Sequence, residues 1–242
     1  MTTPTASFLV VVPPGWARLP AGEDQREELG ETVRAVIARA LPDDLPRDRA
    51  EPLRQEMRKR LLRAVVEAGD NGATAVHMPV QPVDGYTPPV SIIESEVDDE
   101  SEEAPEQVVA QLLAEALPTR RDPDDTGLRE VDGGIAARTE QTVRRADVAA
   151  ELPEVGADLP VVDDRQVTYS IPVPHRPGRW VIMSFSAISP SDPEDPEAAE
   201  QLTDALVMLF DAVMTTFRWT DVPGTEPTPL ERRIAEIAEA RS

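Results

Sequence analysis

The chain has 242 residues, of which 40% are hydrophobic and 29% charged, and this is the balance of a folded globular protein. Its formal net charge of −22 argues against general binding to nucleic acids or anionic membranes, because phosphate groups would be repelled. The sequence contains no cysteine, which excludes disulfides, thiolate catalysis and cysteine-bound zinc. These values predict an acidic protein that binds no nucleic acid.

The sequence shows no membrane or secretory signal. Its first seven residues lack basic side chains, and the apolar run 8–12 is too short for the hydrophobic core of a signal peptide. No stretch approaches the roughly twenty apolar residues of a membrane helix. A chain without cysteine also has no site for a lipoprotein anchor. We expect a cytoplasmic protein with no membrane insertion.

The N-terminal segment predicts a strand followed by a helix. The apolar, β-branched run 8–12 ends at Pro13-Pro14-Gly15, and this pattern predicts a buried first strand. Trp16 follows at once and is expected to pin the end of that strand to the core. Apolar residues at helical spacing then predict a helix over 27–41.

A second helix is predicted over 53–68, after a loop bounded by Pro46 and Pro52. One side of it forms the only concentrated basic patch of the sequence. This patch could bind an acidic partner or RNA, but we favour a solvated face that offsets the acidic remainder. Its members are Arg54, Arg58, Lys59 and Arg63.

Two strands and a helix are predicted in the middle of the chain, over 73–80, 88–95 and 105–117. The stretch 94–106 contains eight acidic residues and no basic one. Such a cluster could hold Ca²⁺, but the Asp-x-Asp-x-Asp-Gly loop that positions calcium ligands is missing. We therefore predict a solvated acidic loop.

Two hairpins follow. The first joins strands within 126–134 and 135–143 through an Asp-Gly-Gly turn, and the second joins 167–173 to 180–188. In the second hairpin, apolar and polar residues alternate, which is typical of strands with one buried face.

The last long helix is predicted over 198–219, where apolar residues recur at spacings of three and four. Asp211 lies among these apolar residues, and we expect it to reach solvent or to cap a backbone group in preference to serving a site. The predicted core stripe is Leu202, Leu206, Leu209, Val213 and Phe217, widened by Ala205 and Phe210.

The order of these elements predicts an α+β fold, with a mainly antiparallel sheet flanked by helices on both sides as an α/β/α sandwich. One domain is expected over 7–220, with a helical insertion over 27–68 and an irregular connection over 147–160. Residues 221–242 are predicted to form a linker and a short tail helix over 230–240, which would fold back or stay detached.

The sequence contains no recognisable catalytic or cofactor-binding pattern. It lacks a nucleophile elbow, a phosphate-binding loop, the glycine pattern of dinucleotide-binding proteins and a His-Glu-x-x-His zinc motif. The only histidines are His77, in a predicted strand, and His175, in a predicted hairpin loop, and no supporting pattern surrounds either. Paired carboxylates are too numerous among 46 acids to be informative. We therefore assign no catalytic, cofactor-binding or metal-ligating residue and expect a protein that is not an enzyme.

Four features, taken in chain order, carry a family resemblance. They are the strand closing on Pro14-Gly15-Trp16, the helix 105–117 between strand pairs, the strand region from Gly133-Gly134 through 143, and the hairpin 167–188 with the helix that ends in Phe217-Arg218-Trp219. Together they resemble the Mog1/PsbP-like fold, which includes small bacterial proteins of unknown function. The resemblance covers residues 7–219 and rests on element order and patterning.

This resemblance implies a central antiparallel sheet with helices on both sides, and a binding or assembly-accessory role. Family members of known role bind a small GTPase or a photosynthetic complex, and bacterial relatives are often envelope lipoproteins. The present chain departs from them in lacking a signal and lipid anchor, in the insertion 27–68 and in the tail helix. No functional residue is carried over, because the shared residues are those that form the fold.

Three functions remain open from the sequence. The favoured one is a non-catalytic cytoplasmic interaction or assembly-accessory protein with a protein partner. The second is a regulatory ligand-binding module whose loops at 84–89 and 174–178 form a mouth. The third is a hydrolase that uses carboxylates or His175 in a cleft.

Overall fold

The computed structural model describes residues 7–41, 46–82, 85–100, 103–117, 122, 124–144, 163–189 and 196–220. The helices in these ranges are α1 (Arg26–Ala40), α2 (Arg47–Asp70), α3 (Pro105–Ala116) and α4 (Pro196–Met214), and a short 3₁₀ turn, Glu23–Gln25, precedes α1. The strands are β1 (Phe8–Leu9), β2 (Trp16–Pro20), β3 (Ala73–Pro79), β4 (Val90–Asp98), β5 (Leu128–Val131), β6 (Gly134–Arg144), β7 (Asp163–Pro172), β8 (Arg179–Ser189) and β9 (Arg218–Trp219).

Seven of these strands form one antiparallel sheet in the order β2-β3-β4-β8-β7-β6-β5. The remaining two, β1 and β9, pair with each other as a small separate sheet. The predicted α+β class with an antiparallel sheet is confirmed. The predicted connection 147–160 and tail helix 230–240 lie outside the described residues.

Helices cover both faces of the large sheet. Successive side chains of a strand point to opposite faces, and on β8 Trp180 packs with α3 while Phe185 stacks on Phe210 of α4 at 5.0 Å between ring centroids. On β4, Ile93 packs with the α1–α2 pair, whereas Ile92 belongs to the α4 side. Helices α1, α2 and α3 therefore lie on one face, and α4 lies on the other.

The two predicted hairpins are confirmed. In the first, Val131 pairs with Gly134, which leaves Asp132 and Gly133 as the two turn residues. Their φ angles of 48° and 74° are those that a two-residue turn between right-twisted antiparallel strands requires. In the second hairpin, β7 and β8 are longer than predicted and form the centre of the sheet with β4.

The prediction for the N-terminal segment is wrong in part. Only Phe8–Leu9 is a strand, it is half-buried, and it pairs with Arg218–Trp219 outside the main sheet. The edge strand of the main sheet is Trp16–Pro20, which the sequence did not predict as a strand. The residues of a strand do not reveal which strand it will pair with. Here Phe8 stacks on Phe217 at 4.8 Å between ring centroids, and this contact sets the pairing of β1 with β9. The expected anchoring of Trp16 against the core is confirmed.

Helix α2 begins at Arg47, six residues before the predicted start, and contains Pro52. A proline near the beginning of a helix removes only one hydrogen bond of the first turns. Val65 and the neighbouring apolar residues of α2 pack with α1 and the sheet edge, and this packing stabilises the whole helix despite the proline.

The acidic stretch is not a loop in its first half. Strand β4 continues to Asp98, so Glu94 and Glu96 are strand residues. Glu94 is buried, and its partners come from β2 and β3, whereas Arg179 of β8 holds Glu96. These partners are far away in sequence, which is why the local run of acids suggested a solvated loop.

Helix α4 differs from its prediction in its end and in the face that it buries. It ends at Met214, and residues 218–219 leave it as β9. Leu202 and Leu209, both predicted in the core, are each 39% exposed. Nearly all uncharged positions of this helix are apolar or small, so several overlapping stripes satisfy helical spacing. The described core positions are Thr203, Val207, Phe210, Val213 and Met214.

We expect Gly69→Ala to destabilise the protein by about 1–3 kcal/mol, which is typical of overpacking. A Cβ atom at Gly69 would lie 2.2 Å from the carbonyl oxygen of Ala21, so the backbone must shift. The matched control is Gly30→Ala in α1, where a Cβ atom meets nothing within 4 Å. That change should stabilise by about 0.5–1 kcal/mol, because alanine is the better helix former.

The free energies of unfolding of both variants are measured by urea titration. A Gly69→Ala protein as stable as Gly30→Ala would contradict the close packing of α2 against the segment that follows β2.

Candidate functional site

On the face of the sheet that α4 covers, a cluster of polar side chains joins this helix to β6 and β7. Arg138 of β6 donates two parallel hydrogen bonds to Asp211 of α4, from Nε to Oδ1 at 2.8 Å and from Nη2 to Oδ2 at 3.0 Å. The Tyr169 hydroxyl of β7 donates to the same Oδ1 at 2.8 Å. Arg138 also donates to Glu140 at 2.9 Å. Asp211 is therefore a partner of the sheet: its carboxylate is held by Arg138 and Tyr169, and its side chain also reaches solvent in part, as expected.

A second arginine extends this cluster. Arg165 of β7 is almost fully buried, donates to Asp204 about two helical turns before Asp211, and lies 3.7 Å from Glu140. Asp204 and Asp211 are seven residues apart, so they lie on the same shoulder of α4. We call the six side chains the ion-pair cluster, and they are Arg138, Glu140, Arg165, Tyr169, Asp204 and Asp211.

The electrostatics of the cluster fix its protonation. Burial acts to lower the pKa of Arg138, but Asp211 and Glu140 outweigh it and raise the pKa above the usual value. Burial, followed by the nearby Asp211 carboxylate, raises the pKa of the Tyr169 phenol. Arg138 thus stays charged, and Tyr169 stays a protonated donor at neutral pH. Neither group has the properties of a nucleophile or a general base.

A cleft of about 500 Å³ lies beside the cluster, and Asp125 and Met208 contribute to its wall. Arg129 donates two hydrogen bonds to Asp125, and chiefly for that reason the pKa of this carboxyl is far below its usual range. Carboxylates outnumber arginines in the wall of this cleft, since Asp122, Asp125, Glu140, Asp204 and Asp211 line it together with Arg138 and Arg165. The ion pairs among these residues connect elements of the fold.

A second polar group lies across β2, β3 and β4. His77 is almost fully buried, and its Nε2 lies 2.5 Å from Oε1 of Glu94, while Arg18 donates to Oε2 of the same carboxylate at 2.9 Å. Burial acts to raise the pKa of Glu94, but the hydrogen bonds from His77 and Arg18 outweigh it and lower the pKa. No local pattern in the sequence indicates this cluster, because Glu94 lies 17 residues from His77 and 76 from Arg18.

The other nitrogen of His77 does not lead to a nucleophile. Its Nδ1 atom is buried and, among the residues that the structure describes, has no hydrogen-bond partner. A catalytic histidine held by a carboxylate needs its second nitrogen within reach of a hydroxyl or a water. In the described part of the chain, His77 thus has the carboxylate that orients a catalytic histidine, and its Nδ1 bonds to no hydroxyl.

His175 is exposed and lies in the turn between β7 and β8, with a φ of 59°. It borders a shallow cleft of about 410 Å³, in which the acidic residues are Glu106 and Asp132. Asp132 already accepts from the backbone N–H of Trp219 at 2.9 Å. His175 is on a different edge of the molecule from the ion-pair cluster, since it is in the loop between the far ends of β7 and β8.

The two loops predicted to form a ligand mouth lie at opposite ends of the sheet. The loop that includes residues 85–89 precedes Val90, which pairs with Ala187 near the end of β8. The loop 174–178 precedes Arg179, which pairs with Asp98 at the other end of β4. Eight strand residues separate these pairs, or about 27 Å. The ligand-binding mouth predicted from the sequence is therefore wrong.

The basic face of α2 lies on the surface. Arg54, Arg58, Lys59 and Arg63 are all exposed, and Arg54 lies 3.8 Å from Glu51 on the same helix. Arg60 pairs with Glu56 at 2.6 Å in the same way. Local ion pairs of this kind agree with a solvated helix face.

Within the described ranges, no group of three or more His, Asp or Glu side chains is arranged to hold a metal ion. The helices of the described part of the chain include none that is long and apolar enough to cross a membrane.

The outward face of α4 differs from the basic face of α2, because several of its exposed residues are apolar. Five of its exposed residues recur at spacings of four and three, alternately alanine and leucine, and we call them the outer seam. Met208, 71% exposed, lies beside the outer seam. The acids of α4 lie on the shoulder that faces the ion-pair cluster and not within the outer seam. The residues of the outer seam are Ala198, Leu202, Ala205, Leu209 and Ala212.

The sequence contained part of the signal for this surface. The leucines of the outer seam were noticed as a helical stripe and assigned to the core. The overlooked signal is that a second stripe, which includes Val207, Phe210 and Met214, is equally apolar. A helix with two apolar faces is expected to be covered on both.

No protein-family model matches the chain, and no curated protein matches it either.

We expect Asp211→Ala to destabilise the protein by about 1–3 kcal/mol, because it leaves the buried Arg138 with one carboxylate and Tyr169 without its acceptor. This range allows for the partial exposure of Asp211, 34% of its side chain. The control is Glu56→Ala, which removes only an exposed ion pair with Arg60 and should change the stability far less than Asp211→Ala. Urea unfolding measures the free energy of unfolding of both variants. Equal losses of stability would contradict a role of the cluster in holding α4 to the sheet.

The Glu94 carboxylate should contribute a pH-dependent part of the stability. Because the pKa of Glu94 in the folded protein lies below its ordinary value of 4.5, its contribution is present above pH 4.5 and is lost as the pH falls toward the folded pKa. Glu94→Gln should therefore unfold more easily than wild type at pH 7, by about 1–3 kcal/mol. The difference should shrink when urea titrations are repeated at successively lower pH below 4.5. A difference that stays constant with pH would contradict the assigned charge state.

Proposed function

We propose that the protein is a non-catalytic, cytoplasmic interaction or assembly-accessory protein, and that the outer seam of α4 is where it binds another protein chain. The observation that carries this proposal is a surface helix that is apolar on its outward face as well as on its core face. A surface helix of a globular protein normally exposes polar residues on its outward side. Contiguous exposed apolar surface of this kind is typical of a protein-binding site.

The spacing of the outer seam indicates which partner chemistry fits. The five residues lie on one line along the helix, because the spacing between them alternates between four and three residues. Such a line accepts a second helix whose large apolar side chains insert between those of the first. The alanines leave room for close approach of the backbones. The proposed partner element is therefore a helix with an apolar stripe.

The paired state of the charged groups supports a binding role over a hydrolase. The carboxylates Glu140, Asp204 and Asp211 accept hydrogen bonds or ion pairs from arginines, and Asp211 also accepts from a tyrosine. The oxygens of these carboxylates are thus engaged by side chains of neighbouring strands, and their arrangement holds α4 to the sheet. Nothing in the ion-pair cluster favours the carboxylate hydrolase.

The Mog1/PsbP-like resemblance agrees with this proposal, since its members of known role act by binding other proteins. It remains a prediction from element order. The partner that those members bind is not carried over to this chain.

Ala205→Arg tests the proposal, because it places a charged side chain at the middle of the outer seam, where the alanine is exposed and the fold should be unaffected. The chain is crosslinked in its native host, and bound proteins are quantified against wild type. A stoichiometric partner should be lost from Ala205→Arg by at least about tenfold, the effect of about 1.4 kcal/mol.

The control is Ala64→Arg, the same change at an exposed position of α2. It should retain the partner at the wild-type level, and far-ultraviolet circular dichroism should confirm that both variants are folded. A partner retained by both variants would place the binding surface elsewhere and reject the proposal for α4. Recovery of no partner would count against an interaction role.

A further inference from the structure

We propose that a helix formed by residues 230–240 of the same chain, the tail helix, covers the outer seam of α4, and that a protein partner displaces it. This inference rests on the proposed function, because it names what regulates access to the same surface. Residues 221–242 directly follow the described part of the chain. The sequence pattern of this segment, its reach and its charges carry the inference.

The segment has the sequence signals of a short helix with one apolar side. Thr228 and Glu231 are three residues apart, as in a capping box, and Pro229 stands at the position where a helix start favours proline. Isolated helices shorter than about 12 residues are marginal in water, so the tail helix needs an apolar surface on which to pack. The apolar stripe that has to be covered consists of Leu230, Ile234 and Ile237.

The outer seam is an apolar surface within reach of this segment. Helix α4 ends at Met214, and the chain is fixed shortly after it, because the Thr220 N–H donates to the Ser7 carbonyl oxygen at 3.0 Å. Residues 221–229 include three prolines, and an extended linker of this length spans about 28 Å. The outer seam is about 21 Å long. The tail helix can therefore fold back along α4 in the antiparallel direction.

The stripe of the tail helix matches the outer seam in spacing. Counted backwards from Leu209, the outer seam has spacings of four, three and four residues, and the tail has the same spacings counted forwards from Leu230 to Arg241. An antiparallel pair therefore brings successive residues of the two stripes to the same levels. Ile234 then lies opposite Ala205, whose small side chain leaves room for the larger one. The leucines of the outer seam meet the other two large residues of the tail helix.

The charges favour the antiparallel direction. In an antiparallel pair of helices, corresponding sides of the two stripes lie next to each other. Arg233 of the tail helix then lies on the shoulder of α4 that carries Asp204, and Arg241 reaches the level of Glu197. A parallel pair brings Glu231 to the acidic shoulder instead, where like charges repel.

Paired cysteines test the position and direction of the tail helix, because the natural sequence contains no cysteine. Arg241→Cys is combined with Ala198→Cys in one full-length variant and with Ala212→Cys in the other, and only disulfides within a monomer are counted. The antiparallel pair brings residue 241 to Ala198 and leaves it about 21 Å from Ala212, beyond disulfide reach. The variant with Ala198→Cys should therefore oxidise at least about tenfold faster.

The matched position Ala212 is what makes this comparison decisive. It is nearer to the start of the linker than Ala198, so a detached tail would reach it at least as readily. Oxidation with Ala212→Cys that is as fast as with Ala198→Cys overturns the antiparallel docking. Both alanines are exposed on α4, and circular dichroism verifies that both variants are folded.

Amide hydrogen exchange tests the docking in the wild-type chain, without a cysteine. The amides of residues 230–240 should exchange at least about tenfold more slowly in wild type than in Ile234→Asp, which places a charge in the middle of the apolar stripe. Ala205→Arg should remove the same protection from the side of the outer seam, and Ala64→Arg should leave it unchanged. Exchange in wild type that is as fast as in Ile234→Asp overturns the inference.

Partner capture in the native host separates this inference from the proposed function. Ile234→Asp uncovers the outer seam, so it should recover more partner than wild type, and equal recovery would contradict displacement of the tail helix. Protection that Ala205→Arg removes, with no partner sensitive to that change, supports the covering helix and rejects a protein partner at α4. An unprotected tail, with a partner that Ala205→Arg loses, overturns the covering helix and keeps the interaction role.

Discussion

The docking of α4 on the large sheet is the interaction on which the rest of the structure depends. Phe210 stacks on Phe185 and meets Tyr169 edge to face, so the helix covers the central strands β7 and β8. Beyond the end of the helix, Phe217 stacks on Phe8 and thereby holds β1 and β9 together. These two aromatic groups belong to one hydrophobic core, which connects the N-terminal segment, the last helix and the middle of the sheet.

Apolar burial and the polar bonds of α4 favour the same buried face. The buried face has Phe210, Met214 and two valines, whereas the outer seam has two leucines and three alanines. Turning Leu202 and Leu209 toward the sheet would also swing Asp211 away from Arg138 and leave a buried guanidinium short of a partner, at a cost of several kcal/mol. The ion-pair cluster therefore adds to the specificity with which the helix docks in this rotation.

This rotation also creates the candidate binding surface. With Asp204 and Asp211 held against Arg165 and Arg138, the outer seam has to face outward. The same ion pairs remove the acids of α4 from the middle of that face, which leaves an uncharged line of alanine and leucine. Fold stability and the proposed partner binding thus depend on the same helix, because the ion pairs on its inner side help to determine which residues are exposed on its outer side.

Local pattern in the sequence was enough to predict the α+β class, both hairpins with the Asp132-Gly133 turn, and three helices within a few residues, because periodicity and turn chemistry act over short distances. The sequence by itself also excluded cysteine chemistry and disfavoured nucleic acid. Only the tertiary structure decided that β2 and not β1 forms the sheet edge, that Glu94 is buried with His77, and which side of α4 faces out. Each of these depends on partners far apart in the chain, and pattern within one element carries no information about them.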